Sequence, residues 1–157
     1  MPKFSVTRKV PYTADQVFKV AADVAQYRHF MPLVKRSLVR GNTKNADGRE
    51  TFDAELEVAY KKLGIKETMH SKVTVDHARK LVRAVSNEPP VSHLDAQWQI
   101  NAAGPGACEI VFDVDYALKS RAMQFVLSGM FDMVVRKVMN AFEERARELY
   151  GSGKAIA

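Results

Sequence analysis

The sequence predicts an α+β domain in which a curved antiparallel sheet of about seven strands wraps a long C-terminal helix, with one or two short helices after the first strand. Three observations carry this expectation. Apolar and polar residues alternate with the period of a strand in successive segments divided by turn residues. A helix-start signal with helical spacing follows the first segment, and the C-terminal stretch holds a helical period to its end.

Residues 3–10, KFSVTRKV, alternate and stop at Pro11. Thr13 with Gln16 three residues later forms a capping box, in which each side chain satisfies the other residue's free amide. Val17, Val20, Ala21 and Val24 then recur at helical spacing. Residues 27–33, YRHFMPL, read as a short helix or turn halted at Pro32.

Strand character returns at 34–42, 49–61, 65–77, 80–88, 92–102 and 107–118. The breakers between the last five of these, Leu63-Gly64, His77-Ala78, Pro89-Pro90 and Gly104-Pro105-Gly106, are short, as is Asp47-Gly48 before them, so consecutive strands pair as antiparallel hairpins. Phe52, Ala54, Leu56, Val58 and Tyr60 share one face, with Asp53, Glu55 and Glu57 on the other. Ile110, Phe112, Val114, Tyr116 and Leu118 repeat the pattern against Glu109, Asp113 and Asp115. One side of the sheet is therefore apolar and the other wet.

The apolar side needs a cover, and residues 120–150 supply a helix about 45 Å long, with Ser120 as its N-cap. Its second half is amphipathic, with Val134, Val138, Ala141 and Phe142 on one stripe. The first half carries Met123, Phe125, Val126, Leu127, Met130, Phe131, Met133, Val134 and Val135, which leave almost no polar face. Such a helix is buried on several sides, meets another chain or borders lipid.

A length of 157 residues suits one domain, expected over 1–150, with 151–157 as a flexible tail. No apolar run is long enough to span a bilayer and the N-terminus has no apolar leader segment, so the expected location is cytoplasmic, or peripheral on the inner face of the membrane. Cys108 is the only cysteine, which excludes an internal disulfide and a multi-thiolate metal site. The net charge of +6 lies wholly in residues 1–66, where 13 Lys/Arg face 7 Asp/Glu. That basic excess suits anionic lipid or nucleic acid, against the plain alternative of a solvated face.

No catalytic or metal site is expected. His29, His70, His77 and His93 lack paired metal-ligand spacing, and the strand acids fall on the wet face, where nothing tunes them for proton transfer. Nucleophile-elbow, phosphate-loop and dinucleotide motifs are missing from the sequence.

Four segments carry a family resemblance: VFKVAADVAQYRHFMP at 17–32, ELEVAYKKLGIKETMHSKV at 55–73, HLDAQWQI at 93–100, and YALKSRAMQFVLSGMFDMVVRKVMNAFEERARELYG at 116–151. In these the chain resembles the START-like coenzyme Q-binding family of polyketide cyclase/dehydrase relatives, which also holds the ribosome-association toxins. It departs from the family pattern where Arg28 follows Tyr27 and Leu33-Val34 follow Pro32, positions at which members carry a proline and a Trp-Cys pair. The resemblance implies a helix-grip fold and a non-enzymatic protein that binds ubiquinone or a related polyisoprenoid and supports its delivery to the respiratory chain.

With that ligand, Phe52, Leu56, Val58, Met69, Val73, Trp98, Phe112, Val114, Met123, Leu127, Met130 and Phe131 are the expected lining. Tyr60, Ser71, Tyr116 and the Trp98 indole are the expected hydrogen-bond donors to a quinone head. Phe30, Met31 and Pro32 would form the mouth, with Lys35 and Arg36 resting on an anionic membrane. Two other readings stay open: a toxin-like protein that associates with the ribosome and interferes with subunit association, and a cyclase/dehydratase-like enzyme. No DNA partner is expected.

Overall fold

A computed structural model describes residues 3–151, so the expected tail lies outside the described residues except for Gly151, whose amide caps the last helix. The elements in order are β1 (Lys3–Val10), α1 (Ala14–Ala22), a 3-10 helix (Val24–His29), β2 (Val34–Lys44), β3 (Arg49–Tyr60), a 3-10 turn (Lys61–Leu63), β4 (Ile65–Asp76), β5 (Leu81–Ser86), β6 (Val91–Ala102), β7 (Cys108–Leu118) and α2 (Arg121–Tyr150). The sheet runs β1-β7-β6-β5-β4-β3-β2 with every pair antiparallel. It is the expected meander, with β1 laid beside the last strand and α2 across the inner face.

The local causes match the sequence signals. Thr13 Oγ1 accepts from the Gln16 amide at 3.1 Å, and Gln16 Oε1 accepts from the Thr13 amide at 3.0 Å. Register shifts in β2 and β6 bend the sheet, as an extra unpaired residue does in an antiparallel ladder. Two expectations need adjusting. The short helix begins at Val24 rather than Tyr27, and Leu33 at φ 69° turns the chain into β2. β5 is six residues long instead of spanning 80–88, because Lys80 at φ 53° still belongs to the turn and the strand ends at Ser86.

The main core lies between the inner face, α1 and the second half of α2. Phe142 is its centre: its ring stacks on Trp98 at 4.3 Å, and Trp98 stacks in turn on Phe112 at 4.1 Å. Ser37 Oγ donates to the Ala25 carbonyl at 2.7 Å and accepts from the Arg28 amide, tying the 3-10 helix to β2. Tyr27 is buried beneath them and its hydroxyl donates to the Ala21 carbonyl, so burial holds its pKa well above the usual phenol range.

Candidate ligand cavity

The two halves of α2 have different surroundings. Met139, Phe142 and Ala146 in the second half are fully buried against the main core. In the first half, Met123, Val126, Leu127, Met130 and Val134 form a stripe at helical spacing that borders a cavity of about 350 Å³. Their stretch of helix covers about 16 Å. Facing them are Val58 and Tyr60 on β3, Ile65, Glu67 and Met69 on β4, Leu33, Pro89, Pro90 and Leu118.

The short β5 explains why the space is there. β4 pairs with β3 along its whole length, but with β5 only over Lys72–Asp76. The first half of β4 therefore loses its neighbour, and the Pro89-Pro90 loop fills only part of the gap. That loop is fastened by the Lys119 amide, which donates to the Pro90 carbonyl at 3.0 Å. Gln124 Oε1 accepts from the Leu118 amide at 2.7 Å, holding the start of α2 against the end of β7.

The walls are apolar, and the polar lining groups are few: the Tyr60 hydroxyl, the Glu67 carboxylate, Lys119 and Ser120. Glu67, Pro89, Lys119 and Ser120 are the lining residues that are solvent-exposed, so they mark the mouth. Concave apolar walls with a few polar groups at one end are what a small-molecule site requires. A larger depression of about 780 Å³ lies on the outer face. Its charged groups are partly spent on ion pairs: Arg40 is 3.9 Å from Glu55, and Asp95 accepts two bonds at 2.9 and 2.6 Å from Arg83, which lies outside the depression. The Arg83 hydrogen bonds hold the Asp95 carboxyl below the usual carboxylate range.

Of the residues expected to line a cavity, Val58, Tyr60, Met69, Met123, Leu127 and Met130 are brought together here. The others lie elsewhere. Phe52, Val73 and Trp98 are buried in the main core, with Leu56 and Phe112 packed against it. Val114, Tyr116 and Phe131 form a second cluster with Val135, in which the Phe131 ring is 4.6 Å from Phe4 and 4.9 Å from Tyr116. Ser71 borders the outer depression.

The expected mouth is also displaced. Phe30 packs at 5.7 Å on Phe142 with the Arg145 guanidinium 5.5 Å from its ring, and Met31 packs on the same core. Pro32 is half-buried, Lys35 and Arg36 are exposed, and Arg36 borders the outer face beside Glu55 and Glu57. Leu33 is the residue of that loop which reaches the cavity.

Sequence reasoning passed over Leu33, Ile65, Glu67, Pro89, Pro90, Leu118, Lys119 and Ser120 as lining, and assigned Val126 and Val134 no role there. Part of the signal was available. Ile65 and Glu67 share strand parity with Met69, and Val126 and Val134 flank Met130 at spacings of four. The prolines read only as breakers.

Among the described residues two buried side-chain atoms, Asp115 Oδ1 and the Tyr116 hydroxyl, have no hydrogen-bond partner. Leu118 and Leu127 pack on the Tyr116 cluster and also line the cavity, which puts Tyr116 one layer behind the wall. An unsatisfied buried hydroxyl costs about 1–3 kcal/mol. Among the described residues no group of three or more His, Cys, Asp or Glu side chains is arranged to hold a metal ion.

Known proteins agree with this architecture. The chain is 29% identical over 153 residues to the coenzyme Q-binding protein COQ10 homolog B of Xenopus laevis, covering 95% of this chain and 59% of that one. It is 26% identical over 152 residues to the ribosome association toxin RatA of Escherichia coli, covering 97% of this chain and 91% of that one. The solution structure of an 18 kDa protein from Caulobacter crescentus superposes with a TM-score of 0.80 at 26% identity, covering 97% of this chain and 100% of that one. Residues 10–143 match the family described as polyketide cyclase / dehydrase and lipid transport, and the chain belongs to that START-like family.

Proposed function

We propose that the chain binds an isoprenoid quinone in the cavity beside the first half of α2 and supports its delivery to the respiratory chain. The observation that carries this reading is the apolar cavity of about 350 Å³, open at an end where its few polar groups gather. A tail buried there gains about 0.8 kcal/mol for each CH₂ removed from water, so apolar walls suffice for affinity. The quinone carbonyls need hydrogen-bond donors, and Tyr60 and Ser120 supply hydroxyls at the cavity. Tyr116 lies one layer behind the wall, and its hydroxyl has no partner among the described residues. The cavity is near the small end of the usual range of roughly 300–1,000 Å³, so a long tail runs out through the mouth.

The coenzyme Q-binding relative supports the choice of cargo. The test is a titration with a short-tailed ubiquinone analogue, read by fluorescence of Trp98, the only tryptophan. Saturable quenching is expected; no saturable change would count against a quinone site.

A second reading, association with ribosomal subunits, draws on the RatA relative and on the basic excess of residues 1–66. It predicts co-migration with subunits in a sucrose gradient that disappears as salt rises.

A further inference from the structure

We infer that the rim of the cavity is a docking surface for an anionic lipid bilayer, a reading that rests on the proposed lipid cargo. The 3-10 turn Lys61–Leu63 connects Tyr60 to Gly64 and Ile65, so Lys61 and Lys62 sit at the end of the hairpin whose strands wall the cavity. Lys119 lines the mouth and Arg121 opens α2 two residues later. All four cations are exposed, and none is within ion-pair distance of a carboxylate among the described residues. Lys66 is different, because it pairs with Glu57 at 3.7 Å. Glu67 lines the mouth and Glu88 precedes Pro89, so beside the paired Glu57 two acids stand against the four cations.

Phe125 makes the surface more than a basic patch. It lies one helical turn after Arg121, on the helix whose other side lines the cavity, and is 82% exposed. A lone exposed aromatic ring needs no partner, but one beside Arg121 on the outer side of the helix that borders an apolar opening suits the interface of a membrane. Cations meet the anionic headgroups, the ring enters the headgroup layer, and cargo passes between cavity and bilayer with little exposure to water. An RNA partner would use the cations equally well, but would leave the coincidence with an apolar mouth without a purpose.

The test is co-sedimentation with vesicles of phosphatidylcholine alone and of equal parts phosphatidylcholine and phosphatidylglycerol. Wild type is expected to bind the mixed vesicles and not the neutral ones. The double change Lys61→Ala/Lys62→Ala should weaken that partition about 30-fold, and Phe125→Ala about tenfold. Both variants alter exposed side chains, and circular dichroism checks that they fold. Binding to mixed vesicles that is unchanged in both variants, or equal binding of wild type to the two vesicle types, overturns the proposal. So does a double variant that keeps its vesicle binding while losing co-migration with ribosomal subunits.

Titrating the same proteins with the ubiquinone analogue separates the two readings. Variants that lose vesicles but keep the quinone support the docking surface as a separate device. A wild type that docks on mixed vesicles and takes up no quinone rejects the cargo and leaves the surface standing.

Discussion

Phe142 is the side chain on which the core converges: it is 1% exposed and meets rings from the 3-10 helix, its flanking turn and β6. Phe142→Ala should therefore lower unfolding free energy by about 3–5 kcal/mol in urea denaturation, since the cavity it leaves has rigid neighbours. Cys108 has the opposite character: it is small, fully buried, and its thiol is pushed up to about 11 by burial. It should resist thiol reagents at pH 8 until the protein unfolds. The folded thiol keeps its proton where the unfolded one releases it, so stability is intact below the unfolded thiol's range and falls as pH rises toward about 11. A pH series of denaturation midpoints checks that sign. At this scale the sequence was half legible. Strand parity correctly turned Phe112, Val58 and Tyr60 to the apolar face, but a period of two gives the face and not what fills it. Phe112 is stacked on Trp98 while Val58 and Tyr60 border a hollow, and nothing in the alternation separates them.

At the scale of elements, the over-apolar first half of α2 has a structural explanation. Its apolar residues divide among three surroundings: a stripe on the cavity, Phe131 and Val135 on β7 and β1, and Phe125 and Met133 in solvent. The second half has a single amphipathic division and a packed partner. Amide hydrogen exchange should therefore be faster in 121–130 than in 139–149, and a bound apolar ligand should slow the first segment and leave the second unchanged. Equal protection of the two halves would contradict this. The strands and helices were readable because each has a period and a chemical stop: Pro11, the Thr13-Gln16 box, and the glycine and proline turns. The consequence of β5 being short was not readable. β5 reaches along β4 only as far as Lys72, so Ile65–Ser71 have no partner on that side, and that depends on where other strands run.

For the whole molecule, a sheet curved around a helix leaves a hollow at the end where the sheet is incomplete and the helix stands free of its core. Among the described residues no helix is long and apolar enough to cross a membrane, and the proposed contact with a bilayer uses the surface around the mouth. The hollow can be filled without disturbing the packed core. Val58→Trp adds bulk to the cavity wall and should abolish quinone binding while changing the urea midpoint little, because the cavity has about 350 Å³ to receive it. A large loss of stability in that variant would mean that the site is already packed. The ribosomal reading involves no cargo and predicts no effect of Val58→Trp on subunit co-migration.

The most direct test of a lipid-carrying cavity is mass spectrometry of an organic extract from protein purified without detergent, wild type beside Val58→Trp. An isoprenoid quinone in the wild-type extract, and its loss from the variant, is the predicted result. A wild type that yields no quinone and takes up none when it is added, or a variant that retains as much as the wild type, would contradict it.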